Sequence, residues 1–294
     1  MDDPIQPAPI QPVQIQPVQT QPAPILCAHL LRQVDDQLLE LLASLHAAEW
    51  DLPTVAGEWR VRDVAGHLLD TVLRKLSLVR DGWAVAQIAI RSAEDLAGLV
   101  NRLNREGVSV FRRLSPSVLI PLMRLACRES ADFHESLDPF APAAFAVSWA
   151  GEECSLNWFD TARELTERWH HQQQIRHATG RPGIMTPQLY HPVLDCFMRG
   201  LPHAYRGVDA GTGTMVRAEV SGDCGGAWQI RREAAGWLLV RAEDQWDARV
   251  VVPQDVAWRV FTRGIARREA DGHVRVEGDI KLGLRVLELT AIVA

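Results

Sequence analysis

Residues 30–45 read Leu30-Leu31-Arg32-Gln33-Val34-Asp35-Asp36-Gln37-Leu38-Leu39-Glu40-Leu41-Leu42-Ala43-Ser44-Leu45. Leu30, Leu31, Val34, Leu38, Leu41, Leu42 and Leu45 recur at three-and-four spacing, one stripe of an amphipathic helix, and Asp51-Leu52-Pro53 breaks it. A helix with one apolar stripe has to bury it against other elements. A second pattern runs over about 61–83, with Val61, Val64, Leu68, Val72 and Val79 inward. Further helical patterns cover about 93–114, 116–137 and 160–179, the last stopped by Gly180 and then Pro182. Antiparallel helices joined by short loops make a bundle.

The period changes after about residue 207. Met215-Val216-Arg217-Ala218-Glu219-Val220 alternates, as do Trp228-Gln229-Ile230 and Trp237-Leu238-Leu239-Val240-Arg241. Residues 248–252 and 273–277 add two β-rich runs, with glycines between runs as in antiparallel meanders. Helical pieces are expected at about 254–263 and 281–289. The fold class is therefore α+β, a helical bundle followed by a small α+β domain with a mainly antiparallel sheet. The expected units are residues 1–25, 26–200 and 201–294.

Residues 1–25 stand apart. Gln-Pro recurs at Gln6-Pro7, Gln11-Pro12, Gln16-Pro17 and Gln21-Pro22, and seven prolines fall in the first 24 residues. Proline fixes φ and lacks the amide donor, so a disordered, polyproline-like tail is expected, with packed structure starting at Leu26.

The whole chain of 294 residues has room for two domains. A net charge of −6 argues against a generic binder of phosphate backbones or an anionic membrane surface. No run approaches a membrane span, and no signal peptide is apparent. The five cysteines (Cys27, Cys127, Cys154, Cys196, Cys224) are odd in number and lack Cys-x-x-Cys spacing. Buried reduced thiols in a cytoplasmic protein are expected.

Three side chains could carry chemistry. Glu167 and His171 are four apart on one helix, which places a carboxylate and an imidazole on one face, as a metal ion needs. Read alone, a solvated ion pair is the commoner outcome of that spacing. His67 borders the buried face of the second helix, beside Gly66, with Asp63 one turn earlier as a partner that could orient it. Read alone, a histidine bonded to a neighbouring carboxylate is the commoner outcome. Two histidines and a glutamate together form the protein part of an open catalytic zinc site. No nucleophile elbow, Walker loop or His-Glu-x-x-His is present. His170 is expected to face away from His171, His134 and His177 to be surface residues, and Trp59 to be core or pocket wall.

Three segments carry a family resemblance. Glu58-Trp59-Arg60-Val61-Arg62-Asp63-Val64-Ala65-Gly66-His67-Leu68 resembles the Gly-Trp-Thr-Val-Arg-Asp-Val-x-x-His-Leu segment of mycothiol-dependent maleylpyruvate isomerases. Arg163-Glu164-Leu165-Thr166-Glu167-Arg168-Trp169-His170-His171-Gln172-Gln173, running on to Gly180, resembles their second metal segment, and Val276-Glu277-Gly278-Asp279-Ile280-Lys281-Leu282 is similar to their closing segment. Arg60 stands where the family carries a capping threonine, and the Gln172–Gln174 run replaces its His-Gln-Asp pattern.

The resemblance implies a DinB-like four-helix bundle and a C-terminal domain related to the sterol-carrier-protein fold. It implies a divalent metal, expected to be zinc, on His67, Glu167 and His171, with mycothiol as the thiol cofactor. The implied reaction is cis–trans isomerisation of maleylpyruvate: a thiolate adds to the activated double bond, the single bond rotates, and elimination returns the trans isomer. The implied partners are mycothiol and a small unsaturated oxo-acid or electrophile, without nucleic acid or membrane. Two alternatives stand beside it: a mycothiol S-transferase or metal-dependent hydrolase using the same site, and a non-enzymatic metal- or ligand-binding protein whose C-terminal domain holds an apolar ligand.

Overall fold

The computed structural model describes residues 22–83 and 93–291, apart from the side chains of residues 93, 94 and 96. The Gln-Pro repeat before residue 22 lies outside the described residues.

Helices α1 (Leu30–Ser44), α2 (Val61–Lys75), α3 (Ala93–Phe111), α4 (Pro116–Ser136) and α5 (Asn157–Thr179) follow the expected patterns. The second pattern is shorter than expected: α2 passes into a π-helical turn at Leu76–Arg80. Gly180, at φ 64°, closes α5 in the left-handed region open to glycine. Helix α1 packs on α4 and α5, and α2 on α4 and α5, which makes the four-helix bundle; α3 lies along α2. The stripe that defined α1 is buried, from Leu30 through Leu42.

Helix α6 (Pro187–Met198) was not anticipated. Leu189, Tyr190, Val193, Leu194, Cys196, Phe197 and Met198 are all buried. The opposite face is wetter, with Gln188 and His191 exposed and Asp195 half-buried, so the stripe is there; prolines at Pro187 and Pro192 mask it, since proline inside a run reads as a helix break. Tyr190 stacks on Trp169 of α5, ring centroids 4.2 Å apart, and donates its hydroxyl hydrogen bond to the Gln254 carbonyl at 2.8 Å. Thus α6 bridges the bundle to the sheet.

After α7 (Leu201–Ala204) come β1 (Met215–Ser221), β2 (Gly226–Glu233), β3 (Gly236–Val240), β4 (Ala248–Pro253), α8 (Gln254–Phe261), α9 (Arg267–Asp271), β5 (Arg275–Gly278) and α10 (Ile280–Leu284). The sheet order is β3-β2-β1-β4-β5. Three pairings are antiparallel, but β4 returns beside β1 in parallel, so the sheet is mixed and not a simple meander. The register matches inward residues: Val216 pairs with Ala248, Ala218 with Val250 and Val220 with Val252. A slip of one residue would turn either set outward. Helices α8 and α10 pack on these strands.

One apolar core runs through both halves, from Ile25 and Val34 past Phe159, Trp169 and α6 to Val216, Val250 and Leu289. A second lies inside the bundle around Leu38, Leu42, Val64, Leu68, Met123 and Ile175. Packing reaches ahead of the expected Leu26: Ile25 is buried, and the Arg199 guanidinium donates to the carbonyls of Pro22 and Ala23. Among the described residues no helix is long and apolar enough to cross a membrane.

Candidate metal centre

His67 enters the site from the first half of α2. The start of that helix is fixed by Asp63, whose Oδ2 accepts from the Arg60 backbone amide at 3.1 Å, so the acidic residue three positions into the helix does the capping that the Arg60 side chain cannot. Asp63 Oδ1 accepts from Arg112 of the chain just after α3, at 3.2 and 3.0 Å. Asp63 is therefore engaged by Arg60 and Arg112, and the expectation that it orients His67 is not met. Gly66 accommodates α3: a Cβ there would lie 3.1 Å from Phe111 Cβ. His67 is buried, its ring 4.8 Å from that of Trp59, and its Nδ1 has no hydrogen-bond partner. A buried imidazole nitrogen without a partner is costly unless something else engages it.

Glu167 and His171 come from the middle of α5, one turn apart as their spacing required. His171 Nε2 lies 3.3 Å from Glu167 Oε2. The His67 and His171 rings are 4.6 Å apart, centroid to centroid. One ligand atom from each of His67, Glu167 and His171 falls within 4.8 Å of the other two. The structure thus brings together the three residues singled out in the sequence, which lie about a hundred positions apart along the chain.

The donor chemistry fits a divalent ion. Burial, reinforced by the neighbouring His171, pushes His67 well below the ordinary imidazole range and keeps it a neutral lone-pair donor. Burial pushes Glu167 up, but the adjoining His171, with help from Arg163, outweighs it and holds the carboxyl at about 2. Neutral imidazole and ionised carboxylate are the states in which these groups bind metal. Three protein donors leave a further position for water or substrate. Glu167 keeps 29% of its side chain exposed against 11% for His171, so solvent reaches the triad past the carboxylate.

The neighbours of the triad divide into those expected and those missed. His170, expected to face elsewhere, is buried with its ring 4.7 Å from that of His171; burial and His171 push it down to about 3. Gln174 was missed: its amide touches His171 Nδ1 and His170 Nε2, both at 2.9 Å. Its signal was present in the three-residue spacing from His171, which places both on one helix face. Trp258 of α8 was also missed, because only the tertiary fold carries it to His170. His134, expected at the surface, is buried and bonded to Thr161 Oγ1 at 3.1 Å. The cysteines are unpaired; Cys27, Cys127, Cys196 and Cys224 are buried and Cys154 is exposed.

Trp59 is a pocket wall, as expected. Beyond it lies an open cavity of about 740 Å³ lined by Arg60, Arg62, Arg105 and Arg112, with Val108 on its floor. Three of these guanidinium groups are tied to acids, Arg60 and Arg62 to Asp51 and Arg112 to Asp63.

Residues 31–176 match the family described as mycothiol maleylpyruvate isomerase N-terminal domain. Two uncharacterized proteins of Mycobacterium tuberculosis, from strains CDC 1551 / Oshkosh and ATCC 25618 / H37Rv, are 32% identical over 150 residues, or 51% of this chain and 55% of each relative. The chain therefore spans about half the length of the curated relatives it matches. Crystal structures of the mycothiol-dependent maleylpyruvate isomerase and of a mutant of it align with TM-scores of 0.45 and 0.48 at 12% identity, covering 79% of this chain and 86% of each structure.

Proposed function

We propose, from the match of residues 31–176 to the family described as mycothiol maleylpyruvate isomerase N-terminal domain, that this protein is a metal- and mycothiol-dependent isomerase of the maleylpyruvate type. The observation that supports the reading most is the convergence of His67, Glu167 and His171 within 4.8 Å. The metal-binding unit is residues 26–200, with residues 201–294 as the unit packed beneath it.

His67, Glu167 and His171 would hold the ion, and zinc suits two imidazoles and one carboxylate. A divalent ion there supplies Lewis acidity, which lowers the pKa of a thiol at its open position enough to ionise it at neutral pH. The protein's own residues do the rest. Burial keeps His67 neutral and aimed at the site. Trp59 packs on His67 and keeps water from its inner face. The arginine-lined cavity on the far side of Trp59 offers cationic groups for the carboxylates of an oxo-acid. A thiol-dependent reaction and unpaired cysteines support a reducing, cytoplasmic setting.

The test has two parts. Purified protein should carry close to one equivalent of divalent metal, and His67→Ala should carry far less. The loaded protein should convert maleylpyruvate to fumarylpyruvate only when mycothiol is added. Full metal content in His67→Ala would remove His67 from the ligand set. Conjugation of a chlorobimane without any isomerisation would reassign the same site to thiol transfer.

A further inference from the structure

Gln174 lies one turn beyond His171 on α5 and is buried. Its side-chain amide spans two imidazoles. Oε1 is 2.9 Å from His171 Nδ1, and Nε2 is 2.9 Å from His170 Nε2. An amide oxygen only accepts and an amide nitrogen only donates. In this orientation His171 Nδ1 must carry the proton and donate to Oε1, while His170 Nε2 accepts from the amide nitrogen. The other nitrogen of His171 then bears a lone pair, and it faces Glu167 Oε2 at 3.3 Å. A lone pair set against a carboxylate oxygen is repulsive, and a cation shared between them removes the repulsion.

The same atoms have a second self-consistent arrangement. Turning the amide by half a revolution reverses both hydrogen bonds, moves the His171 proton to Nε2, and lets that nitrogen donate to Glu167. The first arrangement presents a metal ligand; the second closes the site without a metal. Between these two, the orientation of the amide sets the tautomer, because its oxygen and its nitrogen each bond one ring.

We propose that Gln174 is a positioning residue for the metal site: its amide selects the His171 tautomer that turns a free Nε2 toward Glu167, while its nitrogen end bonds His170. This rests on the metal reading above. The relay ends at His170, whose Nδ1 is buried with no hydrogen-bond partner and whose ring packs 6.2 Å from that of Trp258. A neutral amide fixes the tautomer without adding charge to a site that already holds an ionised Glu167.

The experiment uses the full chain with Zn²⁺ or Co²⁺ alone as the probe. Affinity is read by competition with a chromophoric chelator, site geometry by the cobalt absorption spectrum, and the His171 tautomer by nitrogen-15 NMR. The wild type should bind, with His171 protonated at Nδ1 in the zinc form. Gln174→Leu should bind about 10–100-fold more weakly, the usual cost of removing such a partner. Gln174→Glu, which still accepts from Nδ1, should recover most of that loss. His170→Leu should lose less than Gln174→Leu, because the Gln174–His171 bond survives. Circular dichroism checks folding, and if Gln174→Leu does not fold, the wild-type tautomer decides alone. Unchanged affinity in a folded Gln174→Leu, or an Nε2-protonated His171 in the zinc form, would overturn the proposal. A wild type that binds neither ion would overturn the metal reading itself, a distinguishable failure.

Discussion

Trp258 of α8 places its indole 6.2 Å from the imidazole of His170, the immediate neighbour of the candidate ligand His171. The sheet half thus supplies a wall behind the helix that carries the site. Trp258 is only 1% exposed. Trp258→Ala should lower stability by about 3–5 kcal/mol, the range for emptying a buried aromatic site. Urea unfolding measures it, and a loss below about 1 kcal/mol would mean the site collapses around the smaller residue.

His134 gives a pH prediction that does not involve the candidate metal. Burial, and then the charge of Lys75, push it down to about 3 from an ordinary value of 6.5. The unfolded chain takes up a proton below pH 6.5 while the folded protein does not until about pH 3. The stability it contributes is therefore present above pH 6.5 and is lost as pH falls toward 3. Across that window one proton costs about 1.4 kcal/mol per pH unit. His134→Gln should show a flatter decline in urea midpoint with acid, and an unchanged slope would refute the assignment.

Lys75 sits buried between Asp160 Oδ2 at 2.9 Å and Glu164 Oε2 at 3.1 Å. Both acids are held low by it against the upward push of burial. Lys75→Met should cost about 3 kcal/mol, the low end for leaving a buried charge unpaired. The low end applies because Arg163 still pairs with Asp160 and Arg168 with Glu164. Thermal and urea unfolding of the folded variant provide the check.

Removal of the proposed ion should destabilise the protein by mass action. Free metal at about 100 times its dissociation constant adds about 2.7 kcal/mol. Chelation should therefore lower the melting temperature of the wild type and leave that of Glu167→Gln almost unmoved. An identical shift in both would show that Glu167 is not a ligand.

Much of this architecture was legible because periodicity reports a two-sided environment. Helix α1 has a wet face and a dry one, and Leu30 through Leu45 record it. Strands β1 and β4 alternate for the same reason. Helix α6 escaped because Pro192 within it reads as a break, although Gln188, His191 and Asp195 mark a wetter face. Within the site, Glu167 and His171 were visible as a pair on one helix. His67 joined them through the resemblance and through the bundle geometry, since no local spacing links it to α5. His134 was misread because a polar residue beside Glu135 looks wet until Thr161 is placed over it. The parallel return of β4 to β1 was not visible either, since alternation says which face is inward and not which neighbour is beside it.

The apolar core that joins Ile25 and Trp169 to Val250 and Leu289 sets a condition on biosynthesis. While the chain emerges from the ribosome, α5 and α6 are complete before β4, so their sheet-facing surface has nothing to rest on. Until the parallel β1–β4 ladder closes over it, that greasy surface is a target for chaperones and a seed for clumping. A gene cut after α6 would freeze the nascent chain at that vulnerable stage, and its product should be recovered mainly in inclusion bodies.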